Sequence, residues 1–377
     1  MATTLPPGAV LAATVTTPSS LAFVPVAIHF NVFAVLVGLN KPATAEEIRN
    51  ACDEGRSEES KEQAPLKDTL LALAGLGLID ALDAEKEIYS ANAITQHMIT
   101  QSSSQDGALH FTTEVLLASA FLMPKLQSTN FRYPFPECDT PMQHAYSSMG
   151  NTHLASKHTY EIMHEQARMA SFNNFMVGKF FPSAPAPSRM KSLGYDLDSL
   201  IMAEGGGRAT AEGPGPVIVD IGGGRGEFLH QFHTAYPHLQ PSNLILQEHN
   251  AELGDSIPSC ITVMDWDFKD PLSAQPITGA LMYSISHVLH NLPDAETISL
   301  LKKLAVAMEP GVSRLHIHEN TKSKVCSHLH TTMIVLYGGR ERGMGEWRRI
   351  AALSGLKITF EGCPTERDVF MEMMRVD

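Results

Sequence analysis

The chain is poor in cysteine: five in 377 residues, with no C-x-x-C among them. Cys52, Cys138, Cys260, Cys326 and Cys363 are scattered, which excludes a disulfide framework or clustered zinc site and suits reduced thiols in a cytosolic protein. Basic residues are also scarce, 28 Lys and Arg against 41 Asp and Glu, for a net charge of −13. A chain this acidic lacks the positive face that phosphate-backbone binding needs, so nucleic acid is excluded as its main partner. The first forty residues carry no charge at all; Lys41 is the first. Residues Leu21 to Leu39 therefore resemble a membrane span, but Pro25, His29 and Asn31 interrupt them. No basic cluster or signal-peptide n-region precedes them, so a buried helix or a dimer interface is the expectation, with no membrane partner. Internal repeats are absent too.

What is present describes a globular chain. Hydrophobic residues make up 44% and charged residues 18%, enough for one large or two ordinary domains with substantial cores. Residues 1–20 are rich in Thr, Pro and Ala and are expected to be poorly ordered unless a partner chain covers them. The spacing predicts a hydrophobic helix over 21–39, then a capping box at Thr44-Ala-Glu-Glu47 opening a short helix. A charged surface loop (53–64) precedes a further helix from Pro65, followed by a turn-strand piece, EKEIYSANAITQHM. This pattern suggests a winged-helix-like module. Its few basic residues favour scaffolding or dimerisation over DNA binding. Apolar helices are expected over 108–127 and 152–178, and the Pro/Gly-rich stretch near 180–216 reads as the main linker.

Beyond that linker the pattern changes. Residues 217–226 read VIVDIGGGRG: a β-branched apolar run fit for a strand buried on both faces, then a glycine loop, then the helical EFLHQFHTAY. Strand, glycine loop and helix start a βαβ unit whose helix N-terminus faces a ligand. A dinucleotide fingerprint would place its third glycine on Glu227. Instead the spacing is D-x-G-x-G-x-G, through Asp220, Gly222, Gly224 and Gly226, which resembles the S-adenosylmethionine loop of Rossmann-like methyltransferases. An acid there suits the ammonium and sulfonium groups of such a ligand; a bare glycine turn is the alternative. Further strands are expected at 243–249, 259–268, 279–289 and 314–319, giving a doubly wound parallel sheet with ligands at its carboxyl edge. Glu248 then sits where an acid meets a ribose diol, and Asp267 and Phe268 offer an acceptor and a ring to an adenine.

Several segments together (ALAGLGLID, TPMQHAY, FNNFM, VIVDIGGGRG, VMDWDF, QPITGALMYSISHVLHNLPDAE and MIVLYGGRERGMGEWRRIAALSGL) resemble the plant-caffeate-type and fungal small-molecule O-methyltransferases over nearly the whole chain. The resemblance implies an α/β fold with two parts. Residues 1–180 form an all-helical, winged-helix-like domain that dimerises and lines the substrate site, and 181–377 form a Rossmann-like domain binding S-adenosylmethionine. It assigns the general base to His290 of VLHNL, flanked by Glu319 and Glu341. Histidine suits that task because its unperturbed pKa lies near neutrality. Ser286 falls at a position near the adenine. Phe172, Phe175, Met176, Asn291, Thr332 and Met333 fall at substrate positions, for an aromatic or polyketide-derived small molecule and without metal.

The departures from the family pattern are specific. Asn291 stands for a usual aspartate, Leu292 for tryptophan, Ser286 for a basic residue, and His330 and Thr332 for an Asp/Asn pattern. Some fungal members of this family catalyse pericyclic rearrangements or dehydrations, so a pericyclase that binds the cofactor without using its methyl is the alternative activity. A silent cofactor-binding scaffold is the third reading, and it leaves the retained base and carboxylates without a purpose.

Overall fold

The computed structural model describes residues 6–54, 65–180, 184–202, 209–210, 213–214, 216–249, 257–363 and 367–376. Most of the expected loop at 53–64 and of the glycine-rich stretch at 203–216 lies outside the described residues. The chain divides into two compact units: Met1–Phe121 with Tyr160–Pro182, and Leu122–Thr159 with Ser183–Asp377.

The first unit is mainly helical. Val24, Phe33, Leu36, Ile48, Leu70, Leu73 and Tyr89 form its buried core. The capping box forms as expected: the Thr44 side chain accepts from the Glu47 N–H, and Glu47 accepts from the Thr44 N–H at 2.7 Å. Four expectations change. Pro7–Leu21 is a helix, favoured by proline in its first turn, and it buries none of its residues. Residues 21–39 form two short helices, Val24–His29 and Val32–Leu39, separated where Asn31 adopts φ +56°. The unit is not all-helical, because a three-stranded antiparallel sheet joins Ala43–Thr44, Asp80–Asp83 and Ile88–Ser90. Finally, Ser103–His110 passes into a π-helical turn, Phe111–Val115, instead of one continuous helix over 108–127. The stretch Pro7–His29 is long and apolar enough to cross a membrane by length and composition alone.

The expected helix over 152–178 is likewise three pieces, Thr152–Ala155, Thr159–Glu165 and Met169–Gly178, with Ala167 at φ +55° in the second break. The expected linker also contains the helices Ala186–Ser192 and Leu197–Met202.

The second unit is built on a seven-stranded sheet. Its strands are β1 (Ile218–Ile221), β2 (Leu244–Gln247), β3 (Thr262–Met264), β4 (Met282–Ser286), β5 (Arg314–Asn320), β6 (Leu356–Gly362) and β7 (Asp368–Arg375). The spatial order is β3-β2-β1-β4-β5-β7-β6. Strands β1 to β5 are parallel, while β7 pairs antiparallel with both β5 and β6. Side chains alternate across the sheet. Val219, Ile221, Tyr283 and Ile285 pack with Leu300, Leu301 and Leu304 of the helix Asp294–Ala307. Ile218, Leu244, Leu246 and Met282 pack with Leu229 and Phe232 of the helix Glu227–Ala235. Both faces are therefore dry, which is why β1 reads as apolar at every position except Asp220. The parallel strands present their carboxyl ends along one edge, and the candidate site residues of this unit collect there.

Candidate active site

The glycine loop leaves β1 with Gly222, Gly224 and Gly226 at φ +65°, +59° and +78°. Two glycines are demanded for different reasons. A Cβ on Gly223 would stand 2.1 Å from Asp220 Oδ2 and 2.7 Å from Leu246 Cδ1, whereas a Cβ on Gly224 would meet nothing within 4 Å. Gly223 is thus required by crowding and Gly224 by its left-handed backbone. The Gly224 N–H donates to Glu248 Oε2 at 3.0 Å, so the acid beyond β2 closes on the loop.

Asp220 is buried, and neither carboxylate oxygen makes a hydrogen bond among the described residues. Burial pushes its carboxyl up to about 8, and the neighbouring Ser284 hydroxyl offsets only part of that. Glu248 is also raised, again mainly by burial, against the pull of the Gly224 and His249 N–H groups. Two half-dry acids around a glycine cradle suit a ligand carrying positive charge and a diol. Ser286 ends β4 with its hydroxyl buried and without a hydrogen-bond partner among the described residues. Asp267 and Phe268 lie beyond the end of β3, which is shorter than expected. Asp267 accepts from the Lys269 N–H at 2.8 Å, and the Phe268 ring packs edge-on to Trp266 at 6.2 Å.

One strand over from β1, the chain leaves β4 and forms a tight turn, Leu289–Asn291, that carries His290. Its Nδ1 lies 3.0 Å from Glu341 Oε1 and 3.4 Å from Glu319 Oε2, and both carboxylate side chains are fully buried. Glu319, on β5, also accepts from the N–H groups of Leu289 and His290, at 2.8 and 3.3 Å. Burial pushes Glu319 up to about 7, helped by Glu341 and opposed by His290. Asn320 donates to Glu341 Oε1 at 3.0 Å. His287, His290 and Glu319 also bring metal-ligating atoms within 4.8 Å of one another.

The sequence reading did not identify what holds this turn. Arg342, fully buried, donates to the carbonyls of Leu289 and Leu292, both at 2.7 Å, and to Asp294 Oδ1 at 3.0 Å. Its guanidinium lies 5.3 Å from the Trp347 ring centroid. Its position next to Glu341 in GGRER was the available signal.

Thr332 and Met333 are buried on the helix Ser327–Tyr337, where the Thr332 hydroxyl bonds the His328 carbonyl at 2.9 Å. Asn291 closes the His290 turn through its N–H to the Val288 carbonyl at 3.0 Å. Phe172, Phe175 and Met176 sit in the first unit, on Met169–Gly178, with the two rings buried and Met176 half-buried. The structure thus brings His290, Glu319 and Glu341 into contact and sets Asp220, the glycines and Glu248 around one loop, while the FNNFM residues belong to the other unit.

An O-methyltransferase domain family model matches residues 213–357. The chain is 47% identical over 364 residues to the O-methyltransferase bfoE of Aspergillus brasiliensis, covering 96% of this chain and 95% of the relative. Among solved structures, the complex of LepI with SAM superposes with a TM-score of 0.77 at 20% identity, covering 98% of this chain and 90% of that one. A structure described as a pericyclic reaction enzyme gives the same TM-score, identity and coverage. At that identity the likeness concerns the fold. The near-full-length relative establishes more: the chain belongs to the O-methyltransferase family.

Proposed function

We propose that the protein transfers the methyl group of S-adenosylmethionine to a hydroxyl oxygen of a small aromatic or polyketide-derived molecule, with His290 as general base. The observation that carries this reading is the His290–Glu341 pair, held at the carboxyl edge one strand from the glycine loop. With Nδ1–H directed at Glu341, the ring presents its Nε2 lone pair to a substrate hydroxyl. Glu341 then stabilises the imidazolium that forms as the proton leaves, as an orienting acid does in a triad. S-adenosylmethionine is the cofactor. Asp220, Gly222, Gly224, Gly226 and Glu248 fit it, because the buried, unpartnered carboxylate of Asp220 suits its cationic groups and the Glu248 carboxylate on the crowded glycine cradle suits its diol. Asp267, Phe268 and Ser286 complete the cofactor set. When bound, it supplies an electrophilic methyl, so the chain needs no metal and contributes alignment, desolvation and proton removal.

By the family resemblance, Phe172, Phe175, Met176, Asn291, Thr332 and Met333 contribute to substrate recognition. Region 1–180 serves as a winged-helix-like dimerisation part and 181–377 as the cofactor-binding part of a cytosolic homodimer. The exposed helix Pro7–Leu21, with Val10, Leu11 and Val15 in solvent, supports an interface between copies. Light scattering at micromolar concentration tests that; a monomer would overturn it.

Incubation with extracts of candidate phenolic substrates and S-adenosylmethionine labelled in its methyl group tests the activity. Label appears in the product, and His290→Ala lowers turnover about 10² to 10⁴-fold while S-adenosylhomocysteine affinity holds. Substrate conversion with no label moved would instead establish the pericyclase reading, which is favoured by the departures at Asn291, Leu292 and Ser286 and by the fold shared with a pericyclic reaction enzyme.

A further inference from the structure

Proton removal by His290 uses one carboxylate, Glu341, yet a second one stands beside the same ring. Glu319 is 1% exposed, and its Oε1 accepts from the N–H groups of Leu289 and His290 at 2.8 and 3.3 Å. Its Oε2 lies 3.4 Å from His290 Nδ1 and makes no hydrogen bond among the described residues. A buried carboxylate oxygen left in that state is costly unless a further group satisfies it.

A third donor lies next to this pair, and proton removal gives it no part. His287 is half-buried, with its ring centroid 5.7 Å from that of His290. It holds φ +55°, which a residue with a Cβ seldom adopts, and its N–H donates to the His318 carbonyl at 2.9 Å. Among the described residues, His287, His290 and Glu319 are the one trio of metal-ligating groups whose donor atoms lie within 4.8 Å of one another. All three belong to the second unit.

Two imidazoles and a carboxylate are the donor set of an open zinc site, with a fourth position for water. Magnesium and calcium prefer oxygen donors, so the two nitrogens select against them. A tetrahedral ion bound at roughly 2.0–2.2 Å holds its donors about 3.5 Å apart, so the trio must contract by about 1 Å. His287 is the member with room to rotate, because the other two are buried. Glu341, 3.0 Å from His290 Nδ1 and bonded in turn by Asn320, anchors the His290 ring from outside, as ligating histidines commonly are.

We propose that His287, His290 and Glu319 bind a zinc ion that switches the enzyme off. The ion occupies the lone pair of His290, so the ring no longer accepts a proton. Binding stands on the donor geometry alone; inhibition rests on the reading of His290 as the general base.

The test uses the full chain, freed of metal by dialysis against chelator and titrated with zinc chloride in competition with a chromophoric chelator. One equivalent is expected to bind with a Kd of roughly 1 µM or below. His287→Phe and Glu319→Gln each weaken it about 100-fold, while S-adenosylhomocysteine affinity in His287→Phe stays within about twofold and reports an intact fold. Cobalt chloride in place of zinc is expected to give the visible bands of a four-coordinate nitrogen–oxygen site. That spectrum is read on the wild type, so it stays informative where a variant misfolds. Cys138 and Cys363 are exposed, and a thiolate charge-transfer band would assign the metal to cysteine instead. Such a band, a Kd above about 100 µM, or an affinity unchanged in either variant overturns the proposal. Label transfer from the cofactor is scored separately: zinc stops it in the wild type, and His287→Phe requires about 100-fold more zinc. Zinc bound with label transfer unimpaired overturns the inhibition. Absence of label transfer at every zinc concentration counts against the methyltransferase reading alone, because binding is measured without turnover.

Discussion

A side-chain carbon on Gly339 would stand 2.1 Å from the carbonyl oxygen of His290. The second glycine of LYGGRER therefore lets the chain pass directly beneath the turn that carries the imidazole. Backbone packed this tightly does not yield as a flexible side chain does. Gly339→Ala is expected to lower kcat about 100-fold, the effect of a displacement near 1 Å in the reacting groups. Affinity for S-adenosylhomocysteine, measured by calorimetry, is expected to stay within about twofold; a normal kcat would show that the turn tolerates the shift.

The cofactor loop permits a paired comparison. Gly223→Ala forces a methyl into Asp220 and Leu246, while Gly224→Ala meets nothing and incurs only the strain of φ +59°. The strain is worth about 1 kcal/mol, or a few-fold in affinity. Cofactor binding is expected to fall below detection in the first variant and only modestly in the second. Equal losses would mean that backbone conformation, not crowding, governs the loop.

Because burial raises the Asp220 carboxyl to about 8, the free protein holds this proton at pH 7. A bound ammonium or sulfonium favours the carboxylate, so binding releases the proton. Affinity is then expected to rise about tenfold per pH unit from pH 6 to 8 and to level off above. Calorimetry in buffers of different ionisation enthalpy counts the released proton. Asp220→Asn is expected to bind weakly and with this pH dependence removed.

Glu319 gives a stability prediction of definite sign. Its carboxyl titrates near 7 when folded, against 4.5 in its ordinary state. The folded state thus holds the proton more strongly. The stabilisation is complete below about pH 4.5, falls between there and pH 7, and is constant above. The amide of Glu319→Gln mimics the protonated acid and escapes that loss, which is on the order of 3 kcal/mol. The Tm of this variant relative to the wild type is expected to rise by several degrees from pH 5 to pH 7.5. A flat difference would place the titration elsewhere.

What was legible in the chain was mostly local. VIVDIGGGRG announces a buried strand and its loop within ten residues, and the capping box at Thr44 needs only four. The strands β6 and β7 were not expected, although LKITFEG alternates apolar and polar residues, because no glycine loop or helix follows them. The broken helices were not legible: the turn at Ala167 contains neither glycine nor proline, and Asn31 is one polar residue in an apolar run. The His290 cluster came from motif resemblance, because its members lie 22 to 51 residues apart and only the tertiary fold joins them. Arg342 was hidden for a related reason. Its nearest partners are carbonyl oxygens, which every residue possesses.

That arginine has a consequence for dynamics. Loops ordinarily open to solvent at little cost, and their amide hydrogens exchange quickly. Here the N–H groups of Leu289, His290, Asn291 and Leu292 are all hydrogen-bonded, while the guanidinium of Arg342 grips the carbonyls of Leu289 and Leu292. No part of the turn can swing out without breaking the buried contacts to Asp294 and Trp347. Deuterium uptake across Leu289–Leu292 is therefore tied to the melting of the sheet, and the base stays in register for as long as the second unit stays folded.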